Sequence, residues 1–475
     1  MLTENDFRIL EEQALKLYGD LELEIIQEIA ERIANVGYAN TVVYNNAVIL
    51  QEMGVLYEDI INIVAKYNET NASEIREIFK NAGIKSLERD DTIYKLAGLT
   101  PKGLNTEMVQ LLEATAEKTG YNLERLTNTI ASTSQIQFIE AMNTAYMEVS
   151  TGTKSYSQSI LDAIKNVSNK GAQVEYPSSY KLNIESAIRM NILTGVNQCS
   201  SKLQLLRGKE LGWDLYEVSA HGGARPEHAE WQGKVYTEQQ LYDICEYGSV
   251  TGLCGVNCRH TFRPYYKGSS LTYNKSELEK FKNETVEYNG KKISKYDATQ
   301  MQRRMERQIR QDKKDLAGLQ GILTSNTVDN KLIEETRTQF AKKTLYYKEH
   351  LNTLNDFTEQ TFLKIDNTRL IVNNYSNSRI GSITKIVNKY NNSDIIGTKV
   401  NGIEIKEIGE HVISRTYGKK VKVEDVENTL KNPIKYGKIR KDNSQQINGE
   451  NCTVVMNMQT GKLITVYPKK TKRND

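Results

Sequence analysis

Residues 219–237 read SAHGGARPEHAEWQGKVYT, and 252–260 read GLCGVNCRH. Between Ser219 and His260 lie three of the five histidines, three of the five cysteines and one of the two tryptophans. Such scarce, versatile side chains set among Gly and Pro point to a built site rather than a generic helix face. His221, His228, Cys254, Cys258 and His260 are candidate ligands for a structural zinc ion, which prefers thiolate and imidazole in a tetrahedral set. Two loops that each bring ligands suit such a site, although the spacing matches no standard zinc finger. The alternative is a Gly-rich loop whose histidines and Arg225 bond to nearby backbone, with the cysteines packed as small apolar groups. A Cys/His nucleophilic pair is disfavoured, because nothing nearby specifies an oxyanion hole or a substrate pocket.

Working outward, GWDLYEVSAHGG (212–223) reads as a strand that enters a Gly-rich turn. The chain before it is helical. Leu21, Ile25, Ile29 and Ile33 recur at i, i+4 and mark an apolar stripe on a charged helix. Asn71 and Ser73 are expected as helix N-caps, Gly83 as a stop, and GLTPKGLN (98–105) as a turn. Residues 180–211 predict one long helix, with a kink at Gly195. From 271 to 365 the chain is again helical and highly charged. QMQRRMERQIRQDKKDLAGLQ (300–320) carries six basic and three acidic residues on a thin apolar seam, which predicts an exposed or partner-bound helix. His350 reads as a solvated side chain. NNYSNSRIGS (373–382) is expected to be a turn-rich boundary, and CTVVMNMQ and KLITVYPKK beyond it read as strands joined at Thr460-Gly461.

The expected fold is therefore mainly α in the N-terminal and middle regions, with a small α/β Gly/His/Cys motif region and a C-terminal α+β domain holding a small antiparallel sheet. The divisions fall at 1–175 (helical), 176–270 (motif region), 271–372 (charged helices) and 373–475 (α+β). A length of 475 residues suits two or more cores. No run approaches the roughly 20 apolar residues of a membrane helix. The acidic start lacks a secretory signal, and five cysteines give no disulfide framework, so a reducing compartment is expected. Residues 1–100 hold 9 Lys/Arg against 18 Asp/Glu, and residues 401–475 hold 15 against 9. Only the C-terminal end has a charge balance suited to nucleic acid. Walker-type loops, H-E-x-x-H and G-x-S-x-G are absent from the sequence.

The wording of 219–267, from SAHGGARPEHAEWQGKVY to YGSVTGLCGVNCRHTFRPYYKG, resembles the phage minor capsid protein 2 family, relatives of the Mu F-like head-morphogenesis proteins. The resemblance implies a low-copy virion protein made in the bacterial cytoplasm and placed inside the head near the portal. It also implies contact with the portal and other head proteins, packaged DNA nearby and, in some members, ejection with the DNA.

In the last module, His411 and Arg415 stand at i, i+4 on a predicted helix and share a face. Thr465, Tyr467 and Lys469 alternate along a predicted strand, with Ser444 upstream. A His acid/base, an Arg for phosphate, and a hydroxyl and ammonium on the sheet would suit RNA cleavage without a cofactor. The helical H-x3-R and the final Thr465-Val466-Tyr467-Pro468 resemble the barnase/EndoU/colicin/RelE-like ribonucleases, known as toxin domains on Mu F-like proteins. That resemblance implies an RNA substrate and an immunity protein, although the module lacks the second histidine of an EndoU-type mechanism. Three readings stand: a head protein with a ribonuclease-like effector, a purely structural head protein whose last domain binds portal, scaffold or DNA, and a free zinc enzyme.

Overall fold

The computed structural model describes residues 1–39, 46–325, 328–365 and 374–469. The first body is built from α1 (Glu4–Tyr18), α2 (Leu21–Ala39), α3 (Asn46–Leu96), α4 (Thr106–Ser150) and α5 (Tyr156–Lys170). A two-stranded ribbon, β1 (Gln173–Glu175) with β2 (Lys181–Asn183), then leads into α6 (Ile184–Glu210). The Leu21, Ile25, Ile29 and Ile33 stripe is buried, as its spacing predicts. The expected caps at Asn71 and Ser73 and the stop at Gly83 are overturned, because α3 runs unbroken through all three. Asn71 donates instead to the Leu17 carbonyl, at 2.6 Å, and is buried against α1. The bare Gly83 lets Leu112 and Leu203 close in on the helix. Local capping signals are worth about 1 kcal/mol, less than the packing they compete with here.

The motif region adds β3 (Tyr216–Val218), α7 (Pro226–Ala229), β4 (Val235–Tyr236), α8 (Glu238–Asp243) and β5 (Phe262–Pro264). Its strands pair antiparallel in the order β4-β3-β5. A small separate core of Tyr216, Val218, Trp231, Leu253, Cys254 and Phe262 lies beneath them.

After α9 (Lys275–Lys282), a hairpin of β6 (Thr285–Tyr288) and β7 (Lys291–Ser294) interrupts the stretch expected to be helical. Two long helices follow, α10 (Lys295–Thr324) and α11 (Asn330–Thr361). Of the two expectations for 300–320, an exposed or a partner-bound helix, the exposed one is overturned. Ile309, Leu316, Leu319 and Ile322 of α10 join the same core as Leu21, Ile29 and Phe138, so the segments 1–175 and 271–372 share one core. Several charges of α10 go in with it, toward partners, while Arg304 and Arg307 stay exposed. Asp315 meets Lys343 at 2.6 Å, and Lys314 meets the buried Glu22 at 3.1 Å. His350 is not simply solvated, since its Nδ1 lies 2.6 Å from an oxygen of the fully buried Asp312. Buried charges persist only with such partners.

The terminal body comprises α12 (Asn374–Asn391), β8 (Lys399–Val400), β9 (Ile403–Glu404), β10 (Glu407–Ile408), α13 (Glu410–Gly418), α14 (Val423–Lys431), β11 (Lys435–Tyr436), β12 (Ser444–Asn448), β13 (Cys452–Asn457) and β14 (Lys462–Pro468). The turn-rich boundary expected at 373–382 is helical from Asn374 onward, and residue 373 lies outside the described residues. The sheet order is β10-β14-β13-β12-β11, antiparallel except for β10 beside β14. Ile447, Val454 and Val466 pair across three strands and pack in one core with Val412, Val426 and Leu430 of the helices. The β13–β14 turn carries Gly461 with φ +77°, as the Thr460-Gly461 signal predicts.

The close backbone approach of α10 to α2 makes a prediction. A side chain on Gly321 of α10 would sit 2.4 Å from the Gln27 carbonyl oxygen of α2. Alanine gains about 1 kcal/mol in helix propensity over glycine. The backbone clash should outweigh it, with a net cost of about 1–3 kcal/mol. Gly321→Ala is therefore expected to lower the thermal midpoint; an unchanged or higher midpoint would contradict this packing.

Candidate functional site

The site is assembled from three places in the chain. Pro226 starts the four-residue α7 at its first position, where a missing N–H costs nothing, and α7 carries His228. The coil 252–260 turns tightly, with Cys254 and Asn257 both in left-handed backbone at φ +58°. It delivers Cys258 and His260 to the same point. The two Nδ1 atoms of His228 and His260 lie 3.3 Å apart, and Cys258 Sγ lies 3.9 and 3.7 Å from them. All three side chains are buried. This His/Cys/His set can hold a metal ion, its ligand atoms lying within 4.8 Å of one another.

Hydrogen bonds fix the tautomers. His228 Nε2 lies 2.8 Å from the Thr251 carbonyl, which can only accept, so that nitrogen carries the proton. His260 Nε2 lies 3.0 Å from Gln232 Oε1. The same oxygen accepts the His221 backbone N–H at 3.2 Å, which fixes the orientation of the amide. Both inner Nδ1 atoms therefore present lone pairs to each other. An extra proton is disfavoured as well. Burial pulls the pKa of His228 below its ordinary value, and burial together with the neighbouring His221 and His228 pulls that of His260 well below. Burial raises the Cys258 thiol, while backbone N–H groups of His260, Cys254 and Gly255 aimed at its sulfur work against the rise.

Two of the five candidate ligands stand outside this set. His221 stacks on His260 with ring centroids 4.4 Å apart, and its Nδ1 faces the Gly222 carbonyl. Among the described residues its buried Nε2 has no hydrogen-bond partner. Cys254 is fully buried in the motif core and pairs with Ser201 Oγ at 3.0 Å. Arg225 donates to the Val256 carbonyl at 3.0 Å and braces the coil. Sequence reasoning missed Gln232 and Asn197. Asn197, on α6, donates to the carbonyls of Cys258 and His260 at 3.3 and 3.2 Å. No local pattern could have marked it, since it precedes them by 61 and 63 positions.

The terminal residues fall into two groups. His411 and Arg415 share one face of α13, with Arg415 Nε 3.3 Å from His411 Nε2. Lys419, one turn on, reaches Glu334 of α11, so this row follows the α11 seam. Burial, then Arg415 and Lys342, lower the His411 pKa. Thr465 and Tyr467 lie on the sheet face opposite Val454 and Val466, away from the helices. On that face Tyr467 accepts from Gln446 Nε2 at 2.7 Å. Ser444 is buried and donates to Asp442 at 2.7 Å. Lys469 lies just past β14 and donates to the Gly449 carbonyl. The structure does not bring the helix pair and the sheet hydroxyls together.

Residues 2–352 match the sequence model described as Phage minor capsid protein 2. The chain belongs to that family. A curated relative, the "Structural protein" of Lactococcus phage LL-H, is 27% identical over 296 residues, 56% of this chain and 76% of the relative. No solved structure matches. This minor capsid protein is thus a phage structural component whose partners are other head proteins. The family match takes in the whole Cys/His site and ends inside α11, before the terminal body. Among the described residues no helix is long and apolar enough to cross a membrane.

Proposed function

We propose that this minor capsid protein sits inside a tailed-phage head near the portal, and that His228, Cys258 and His260 hold one structural zinc ion. The observation that carries the zinc is the pair of facing lone pairs. Two neutral imidazole nitrogens 3.3 Å apart, with no proton between them, repel unless a cation lies between. Tetrahedral zinc, with bonds of about 2.0–2.1 Å to nitrogen and about 2.3 Å to sulfur, sets ligand atoms about 3.3 and 3.6 Å apart. The separations of 3.3, 3.7 and 3.9 Å lie close to those values. Thiolate and imidazole favour zinc over magnesium or calcium. Burial of all three side chains supports a cross-link rather than a catalyst, with the fourth tetrahedral position left to a group outside this set. Gln232 and the Thr251 carbonyl would then orient the imidazoles from behind.

Elemental analysis of the purified full chain should find one zinc per chain. Cys258→Ser and His260→Ala should lose it and lower the thermal midpoint, while Cys254→Ser keeps it. Metal-free wild-type protein that is fully folded would sink the zinc reading. For location, gentle disruption of purified virions should release this protein with the portal fraction. Recovery with empty outer shells instead would contradict an interior position.

A second reading, a ribonuclease effector in the terminal body, draws on the exposed His411 and its partly buried neighbour Arg415. Its chemistry would use that pair along the α11 seam, without Thr465. If it holds, the full chain cleaves RNA and His411→Ala abolishes cleavage. Intact RNA after incubation with wild-type protein removes it and leaves a binding role for this body.

A further inference from the structure

We infer that the ribbon Ile434–Lys441, on the outer edge of the terminal sheet, is a docking strip for the phosphate backbone of duplex DNA. The sequence there is IKYGKIRK, with Lys435, Lys438, Arg440 and Lys441 and no acidic residue. All four cations are exposed. Elsewhere on this body some lysines meet a carboxylate, among them Lys389, Lys431 and Lys462 at 2.7, 2.6 and 2.5 Å. Among the described residues, the four cations of the ribbon have no such partner. The nearest acid in sequence, Asp442, takes both an O–H and an N–H from Ser444, which lower its pKa first, with a smaller contribution from the Arg440 charge.

The ribbon is held in shape. The Ile434 N–H donates to Asn448, Gly437 to Gln446 and Arg440 to Ser444, at 2.8, 2.8 and 2.9 Å. Gln445 Nε2 also donates to the Gly437 carbonyl at 2.9 Å. Exposed, unpaired cations on a ribbon pinned at Ile434, Gly437 and Arg440 can meet a polyanion without its backbone first being ordered, which keeps the cost of binding low. Ile434, Tyr436 and Ile439 of the ribbon are exposed as well. In a phage head protein the polyanion at hand is packaged DNA, and the strip lies beyond the family match at 352. The inference is independent of the zinc centre.

The test uses the full chain and a fluorescent duplex of mixed sequence, titrated over a range of salt. Neutralising phosphates with four cations gives a slope of log K against log salt of about −3.6. Exchanging Lys435, Lys438, Arg440 and Lys441 for Gln should weaken binding at least tenfold at low salt and remove most of that slope. A charge-matched set at Lys399, Lys406, Lys420 and Lys422 should retain both. Circular dichroism of each variant checks the fold. Equal losses in the two sets, no binding by the wild type, or capture of anionic vesicles in preference to DNA would each overturn the proposal.

Discussion

The tripeptide Cys258-Arg259-His260 is the constraint on which the middle of the molecule depends. Alternate side chains of an extended segment point in opposite directions. Cys258 and His260 therefore turn together into the buried centre while Arg259 turns outward. There it meets the buried Glu11 of α1 at 2.9 Å, and the same carboxylate takes Arg189 of α6 at 3.0 Å. Asn197 of α6 holds the backbone carbonyls on either side of Arg259. Three residues thus fasten a Gly-rich coil, which has little core of its own, to two helices of the main body. A shift of the coil by one residue would exchange the two directions and place a guanidinium among imidazoles. Register and chemistry are specified by the same three positions.

A comparable logic governs α10. Its mean character is that of a surface helix, yet it crosses the core between α2 and α11. The apolar residues Ile309, Leu316 and Ile322 supply the burial, and small residues at 317, 318 and 321 let neighbouring backbones approach. The charges survive because Lys343 and His350 on α11 and Glu22 on α2 stand opposite them. Removing one partner of such a buried pair leaves the other uncompensated, which is why these contacts fix helix register more than they add net stability.

These cases explain what could be read from the residues alone. The i, i+4 stripe on α2, the Gly461 turn and the strands of the terminal sheet are local patterns, and all are found. The crowding of His and Cys between 219 and 260 located the site. It could not separate Cys258 from Cys254, since that choice depends on which thiol Ser201 of a distant helix claims. The long course of α3 and the burial of α10 were illegible for the same reason. Asn71 and the charges of α10 find their partners 54, 28 and 38 positions or more away, on helices that no window of sequence contains.

The terminal body shows how far a spacing argument reaches. An i, i+4 pair on a helix and an alternating trio on a strand each predict a shared face, and each prediction is local. Whether the two faces meet is decided by which side of the sheet the helix covers. Val454 and Val466 bind the helices to one side, so Thr465 and Tyr467 look out from the other. His411 and Arg415 are left along the α11 seam, beside Lys342 and near Glu334. The open face and its basic edge, like the exposed His411, are free to meet a macromolecule. That edge has charges suited to phosphates but no histidine to move a proton, and binding is the chemistry those side chains can support.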